Sequence, residues 1–213
     1  MTSLFVIWCA RLIISASWTL AYLLIIRRGF LDKIYGIPLV AFCTNISWEL
    51  IFSFVYPQKP PRFYFNLTWF LLNLVILFQI LKYGKHSVRQ PLLRRFFYPV
   101  FVLTFLASFL LILWITNEFP HPRWACSAYI SNCLTSLLFI SMLRCRNNVL
   151  GQSIYIALLK MLGSLIAFLP YLLTNSVPFF TLLAIATFIF DWIYIGLLYV
   201  RLRELQFNPW TRF

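Results

Sequence analysis

Glu49 and Asp191 are the two acids of this chain that lie inside long apolar runs, and they are where chemistry is to be sought. The sequence holds five acids in all, and the other three fall at or beyond the ends of such runs: Asp32, Glu118 and Glu204. An ionisable side chain in a lipid-embedded helix costs roughly 2.5–3.5 kcal/mol or more at mid-bilayer, so it normally faces a bundle interior or a cavity. Two basic residues share this situation, Arg11 and Lys160. Counting about 1.5 Å per helical residue, Glu49 and Arg11 each stand about 10 Å from one membrane surface, with Asp191 and Lys160 about 20 Å from it. Two readings follow from those depths. In one, Arg11–Glu49 and Lys160–Asp191 are ion pairs that hold helices together, which is the favoured role for the two cations. In the other, favoured for the carboxyls, they do chemistry. A buried carboxyl without a cation keeps its proton at neutral pH and one beside a cation gives it up. An acid to start a reaction and an anion to steer a cation would then both be present, and either residue can take either part.

The neighbours of these acids suggest a lined interior. Asn45, Phe52 and Ser53 share the helical face of Glu49, with Trp48 adjacent. Trp69 and Asn73 lie along one stripe with Asn66, Tyr129 and Asn132 along another with Ser136, and Tyr194 falls on the face of Asp191 beside Trp192. Amides and hydroxyls at such places also hydrogen-bond helix to helix, which is their commoner role. The candidate substrate contacts are Asn45, Trp48, Phe52, Trp69, Asn73, Tyr129, Asn132, Trp192 and Tyr194. No His cluster, Gly-rich phosphate loop, GxSxG, DDxxD or DxDD occurs, and His86 and His121 stand alone, so no metal or cofactor is expected. The five cysteines read as small buried hydrophobes.

The elements that must position these residues are legible from composition. Of 213 residues 62% are hydrophobic and only 11% charged, with mean hydropathy +0.85. Soluble domains carry roughly 25% charge, so a water-soluble monomer is excluded, and 20% aromatic content excludes disorder. A helix needs about 20 apolar residues to span a bilayer. Seven runs qualify, at 4–26, 34–56, 63–81, 99–117, 124–143, 151–173 and 178–200. The chain is therefore expected to be an all-α membrane protein, a single seven-helix transmembrane domain over 1–213. The first run lacks a basic lead-in and a cleavage signal, and is expected to be retained.

Net charge is +13, but the cations cluster in connectors rather than forming a nucleic-acid surface. Thirteen of the 18 basic residues, among them Arg27, Arg28, Arg89, Arg94, Arg144 and Arg201, gather on one side, against Lys59, Arg62 and Arg123 on the other. The positive-inside rule then puts the N-terminus outside or in a lumen and the C-terminus in the cytosol. The expected partners are the lipid bilayer and a lipophilic small molecule, with no nucleic acid.

The run Cys43-Thr-Asn-Ile-Ser-Trp-Glu-Leu-Ile-Phe-Ser-Phe-Val-Tyr-Pro57, together with Asp191-Trp-Ile-Tyr-Ile195 in the last span, is distinctive. It resembles the integral-membrane terpene cyclases of fungal meroterpenoid and indole-diterpene biosynthesis, the pyripyropene cyclase-like family. The resemblance implies acid-initiated cyclisation, without metal, of a prenyl chain joined to an aromatic or indole head. It maps the family's two essential carboxylates onto Glu49 and Asp191. It further implies an endoplasmic reticulum membrane in a fungal host, or the plasma membrane in a bacterial one. The alternative is a seven-helix transporter of small solutes.

Overall fold

The computed structural model describes residues 2–88, 90–119, 124–174 and 178–213; Arg89, His121 and Arg123 lie outside the described residues. Among the described residues seven long helices form the bundle: α1 (Thr2–Asp32), α2 (Leu39–Leu50, continued by a π-helical turn Ile51–Val55), α3 (Arg62–Ser87), then, after the one-turn α4 (Pro91–Arg95), α5 (Phe97–Glu118), α6 (Ala125–Arg146), α7 (Ile154–Thr174) and α8 (Pro178–Glu204). Five are long and apolar enough to cross a membrane by length and composition: α1 from Val6, α3, α5, α6 and α8. The other two apolar stretches are shorter, Leu39–Val55 and Ile154–Leu169. In hydrocarbon each backbone amide must be paired within its own segment, which is why such runs become helices. The protein is an all-α membrane protein.

Its cross-section is inverted relative to a soluble bundle. Leucines of α5 and α8 lie on the outside, with Leu103, Leu110 and Leu182 more than half exposed, whereas Ser47, Ser127, Thr135, Ser136 and Thr187 are almost fully buried. Small hydroxyl residues let helices approach closely and bond across the contact, which replaces the hydrophobic drive that lipid removes. Gly163 of α7 shows the closeness of that packing: a Cβ there would stand 2.8 Å from Cδ1 of Trp18 on α1.

The helices are arranged as a ring. α1 packs on α7 and α3, α7 on α8, α8 on α6, and α2 closes the circle between α6 and α3, while α5 leans on α2 from outside. α8 therefore stands in the ring between α6 and α7. The end of the ring where α1 finishes is closed by polar contacts. Asp32 pairs with Arg28 and Arg212, and its Oδ2 accepts a hydrogen bond of 2.7 Å from the Gly151 amide. Residues 205–213 fold back over this end: Arg212 donates to the carbonyls of Gln152 and Val149, and Tyr155 donates to that of Trp210.

Candidate functional site

Helices α1, α2, α3, α6 and α7 surround a chamber of about 430 Å³, and α8 contributes nothing to its wall. Glu49 opens onto it while being only 3% exposed. The site is built by matching heights on α1 and α3. Trp69 Nε1 donates to Thr19 Oγ1 at 3.0 Å, and Gln79 Nε2 donates to the Ile26 carbonyl at 2.7 Å. Between those two rungs the helices meet at Glu49: Tyr22 donates its hydroxyl to Oε1 at 2.9 Å and Asn73 donates Nδ2 to Oε2 at 2.6 Å. Asn45, one turn before Glu49 on α2, reaches the Tyr22 hydroxyl at 3.4 Å. Two neutral donors hold this carboxyl, and it pairs with no cation among the described residues.

Aromatic rings make much of the remaining wall. Trp48 is pinned by Nε1 donating to Ser127 Oγ at 3.2 Å and is backed by Phe52 with ring centroids 4.6 Å apart. Tyr129 donates to the Ala167 carbonyl at 3.1 Å and stacks on Phe168 at 4.4 Å. Rings held this way present fixed faces of negative quadrupole, suited to a cation formed between them. The π-helical turn lies within one turn of Glu49, a widening often found beside functional residues.

Asp191 lies elsewhere. It forms an ion pair with Lys160 at 2.7 Å, and Lys160 also donates to Ser136 Oγ at 2.5 Å. Ser136 bonds back to the Asn132 carbonyl, and Ser164 donates to Asn132 Oδ1 at 3.1 Å. Asn132 reaches the chamber, so Asp191 meets it only through α6 and α7. The expected Lys160–Asp191 pair is thus formed. The expected Arg11–Glu49 pair is not: Arg11 lies over the Trp8 ring at 5.5 Å, at the chamber's entrance.

Among the other expected contacts, Asn45, Trp48, Trp69, Tyr129 and Asn132 line the chamber. Asn73 touches Glu49 from behind, and Phe52 supports Trp48. Two of them do not line the chamber. Trp192 is 53% exposed on the outer face of α8. Tyr194 is buried away from the chamber, donating to Gln152 Oε1 at 3.0 Å and packing on Phe139. Asp191 does not project into the chamber that Glu49 borders, since no residue of α8 lines it. Sequence reasoning missed Trp18 and Tyr22. Their signal is the stripe Arg11, Ser15, Trp18, Tyr22, spaced four, three and four residues along one face of α1.

The helical membrane bundle thus encloses, in a polar and aromatic interior, a carboxyl that pairs with no cation among the described residues. The chain belongs to the Pyr4-like transmembrane terpene cyclases, whose family profile matches residues 3–204. It is 29% identical over 153 residues to the Pyr4-family terpene cyclase mfmH of Annulohypoxylon moriforme, covering 70% of this chain and 63% of that protein. It is 29% identical over 159 residues to the asnovolin H synthase nvfL of Aspergillus novofumigatus, covering 72% and 65%. It is 27% identical over 154 residues to the terpene cyclase pyr4 of Aspergillus fumigatus, covering 70% and 63%. The chain thus spans less than two thirds of the length of these relatives. No solved structure matches it.

Proposed function

We propose that this protein is a membrane-embedded terpene cyclase that uses Glu49 as the acid. The observation that carries the reading is Glu49 itself, the carboxyl on the chamber wall, held by two neutral donors and facing no described cation. Glu49 gives its proton to the oxygen of a terminal epoxide, or to the less substituted (CH) carbon of the terminal alkene so that the tertiary cation forms, of a prenyl chain held in the chamber. The alkene π pairs then close carbon–carbon bonds in sequence, and loss of a proton beside the last cationic carbon ends the reaction. The product is an isomer of the substrate. A positioned acid contributes roughly 10²–10⁴-fold, and the chamber adds the folded arrangement of the chain. Trp48, Trp69 and Tyr129 would stabilise the travelling cation by up to about 2 kcal/mol each in the absence of water.

Asp191 serves this chemistry at a distance. Its pair with Lys160 fixes α7 against α8 and, through Ser136 and Asn132 of α6, holds the far wall. The substrate is a prenylated arene or indole, which enters sideways from the bilayer. In the same reading all seven long helices span the membrane with the end bearing Arg28 and Arg212 in the cytosol, in the endoplasmic reticulum of a fungal host or the plasma membrane of a bacterial one. The test is incubation of membranes containing the protein with prenylated arenes, epoxidised and not, followed by a search for new isomers of unchanged mass. Formation of isomers by the wild type and not by Glu49→Gln is the expected result; no isomer from any substrate, with inserted protein present, removes the reading.

A further inference from the structure

The chamber has a basic mouth. At the end where α1 begins it continues into a second recess of about 310 Å³, bordered by Arg11, the segment Gln58–Pro61, Arg62 and Trp124. The hydrogen-bonded rungs of α1 and α3 predict this convergence. Thr19 pairs with Trp69 and Tyr22 shares Glu49 with Asn73, offsets of 50 and 51 residues between the helices. The same offset of 51 sets Arg11 beside Arg62, eleven residues before Tyr22 and Asn73 on their respective helices. At about 1.5 Å per residue the backbones of Arg11 and Arg62 stand about 16 Å along their helices from those of Tyr22 and Asn73, which hold Glu49.

Among the described residues, this mouth carries cations and no acid. Arg11 has no hydrogen-bond or ion-pair acceptor among the described residues and lies over Trp8. Arg62 lies over Trp124 with 4.0 Å between guanidinium and ring. Lys59 is exposed between them in sequence. Two buried amide nitrogens that border the cavities, Gln58 Nε2 and Asn66 Nδ2, have no hydrogen-bond partner among the described residues. No acid borders the recess, and Glu49 is the only one that borders the chamber, among the described residues. Orphaned donors and three cations at one edge of a cavity are complementary to an oxygen anion, which guanidinium groups bind through paired N–H bonds.

We infer that this mouth is a head-group subsite for an oxygen-acid anion, a carboxylate or an ionised phenol or enol, at the end of the substrate opposite its prenyl terminus. The inference rests on the chamber being a prenyl-chain site. Arg11 and Arg62 grip the anion from α1 and α3, Gln58 donates from the connecting loop, and the prenyl chain runs about 16 Å inward so that its terminus meets Glu49. The subsite is a specificity device: it selects the charged head and fixes which end of the molecule reaches the acid. A phospholipid phosphate carries the same chemistry, and the experiment separates the two sources.

The full chain is placed in phosphatidylcholine nanodiscs with an arene bearing a saturated prenyl chain, which cannot cyclise, as the free carboxylate or as its methyl ester. Equilibrium dialysis gives each dissociation constant. Hydrogen bonds to charged groups contribute about 1.5–3 kcal/mol, so the carboxylate should bind at least about tenfold more tightly than the ester. Arg11→Gln and Arg62→Gln should each reduce that preference to below about threefold, Arg62→Lys should retain part of it, and Lys59→Gln, at an exposed position, should lower it without disturbing packing. Equal binding of carboxylate and ester by the wild type overturns the inference, whether or not the protein cyclises anything. A preference that phosphatidylglycerol in the nanodisc abolishes also overturns it, because the lipid is then the ligand. A preference found in a protein that cyclises no prenylated arene supports the subsite and removes the cyclase reading alone.

Discussion

Replacing Glu49 by glutamine removes one ionisable proton and very little else, which makes the variant a sharp probe. Tyr22 can still donate to the carbonyl oxygen of the new side chain as it does to Oε1. Asn73 presents Nδ2 to Oε2 at 2.6 Å, and a glutamine amide nitrogen there would set donor against donor. The Asn73 Oδ1 atom, however, is buried and has no partner among the described residues. Rotating the Asn73 amide by half a turn brings that oxygen to the new N–H₂ group, and the count of unpaired buried atoms is unchanged. The stability cost is then at most that of one weakened hydrogen bond, about 1 kcal/mol. Loss of a positioned acid lowers the rate by roughly 10²–10⁴-fold, or about 2.7–5.4 kcal/mol at 1.36 kcal/mol per tenfold. The assay is conversion of a prenylated, epoxidised arene to its isomer, followed by chromatography and mass detection at equal amounts of inserted protein, with a melting curve on each sample. The expected result is melting within a few degrees of wild type and turnover below a hundredth of it. Turnover above a tenth of wild type would refute the assignment of Glu49 as the acid. So would a loss of turnover matched by an equal loss of folded protein, because the variant would then report on packing.

The pair behind the far wall should behave in the opposite way. Asp191→Asn strips Lys160, only 2% exposed, of its counter-ion, and breaking a buried pair by removing one partner costs about 3–5 kcal/mol. The single variant should give little folded protein, and Lys160→Met with Asp191→Leu should restore both the protein and its turnover. A folded but inactive double variant would show that the pair enters the chemistry. Trp192→Ala, on the outer face of α8, should leave turnover within about twofold of wild type, since exposed substitutions seldom exceed about 0.5 kcal/mol; a loss beyond tenfold would put this side chain back in the site. Trp69→Leu removes a ring face worth up to about 2 kcal/mol to a cation, so turnover should fall by as much as about thirtyfold with partly cyclised products accumulating. An unchanged rate and product profile would show that no cation passes that ring.

The all-α membrane class, the positions of the long helices and the inward burial of Glu49 are all legible without coordinates, because apolar run length and the cost of a buried carboxyl are one-dimensional facts. Depth along a helix is also one-dimensional, and it pairs Lys160 with Asp191 correctly. It fails for Arg11 and Glu49 because counting from helix ends takes those ends to be level. α1 runs from Thr2 to Asp32, and its contacts with Glu49 begin only at Tyr22. Arg11 therefore belongs at the height of Arg62, on the rim.

The placement of α8 is hidden for a different reason. A residue such as Asp191 carries a height and an azimuth in its sequence position, but which neighbours occupy that azimuth depends on the order of helices around the ring. That order is set by contacts between small residues whose pattern recurs on almost every span: Ser127, Ser131 and Thr135 on α6, Ser164 on α7, Thr187 on α8. Such residues say that a face is buried without saying against what. The α1 stripe of Arg11, Ser15, Trp18 and Tyr22 is more informative, because it mixes sizes and charges that close helix packing alone would not select. A packing face wants small side chains, whereas a chamber wall wants donors, rings and gaps between them. Applied to α8, the same criterion assigns Thr187 and Asp191 to a packed seam with Trp192 exposed on the outer side. Mixed stripes on lining helices and small-residue stripes on supporting ones thus separate the carboxyl that meets the chamber from the one that braces its wall.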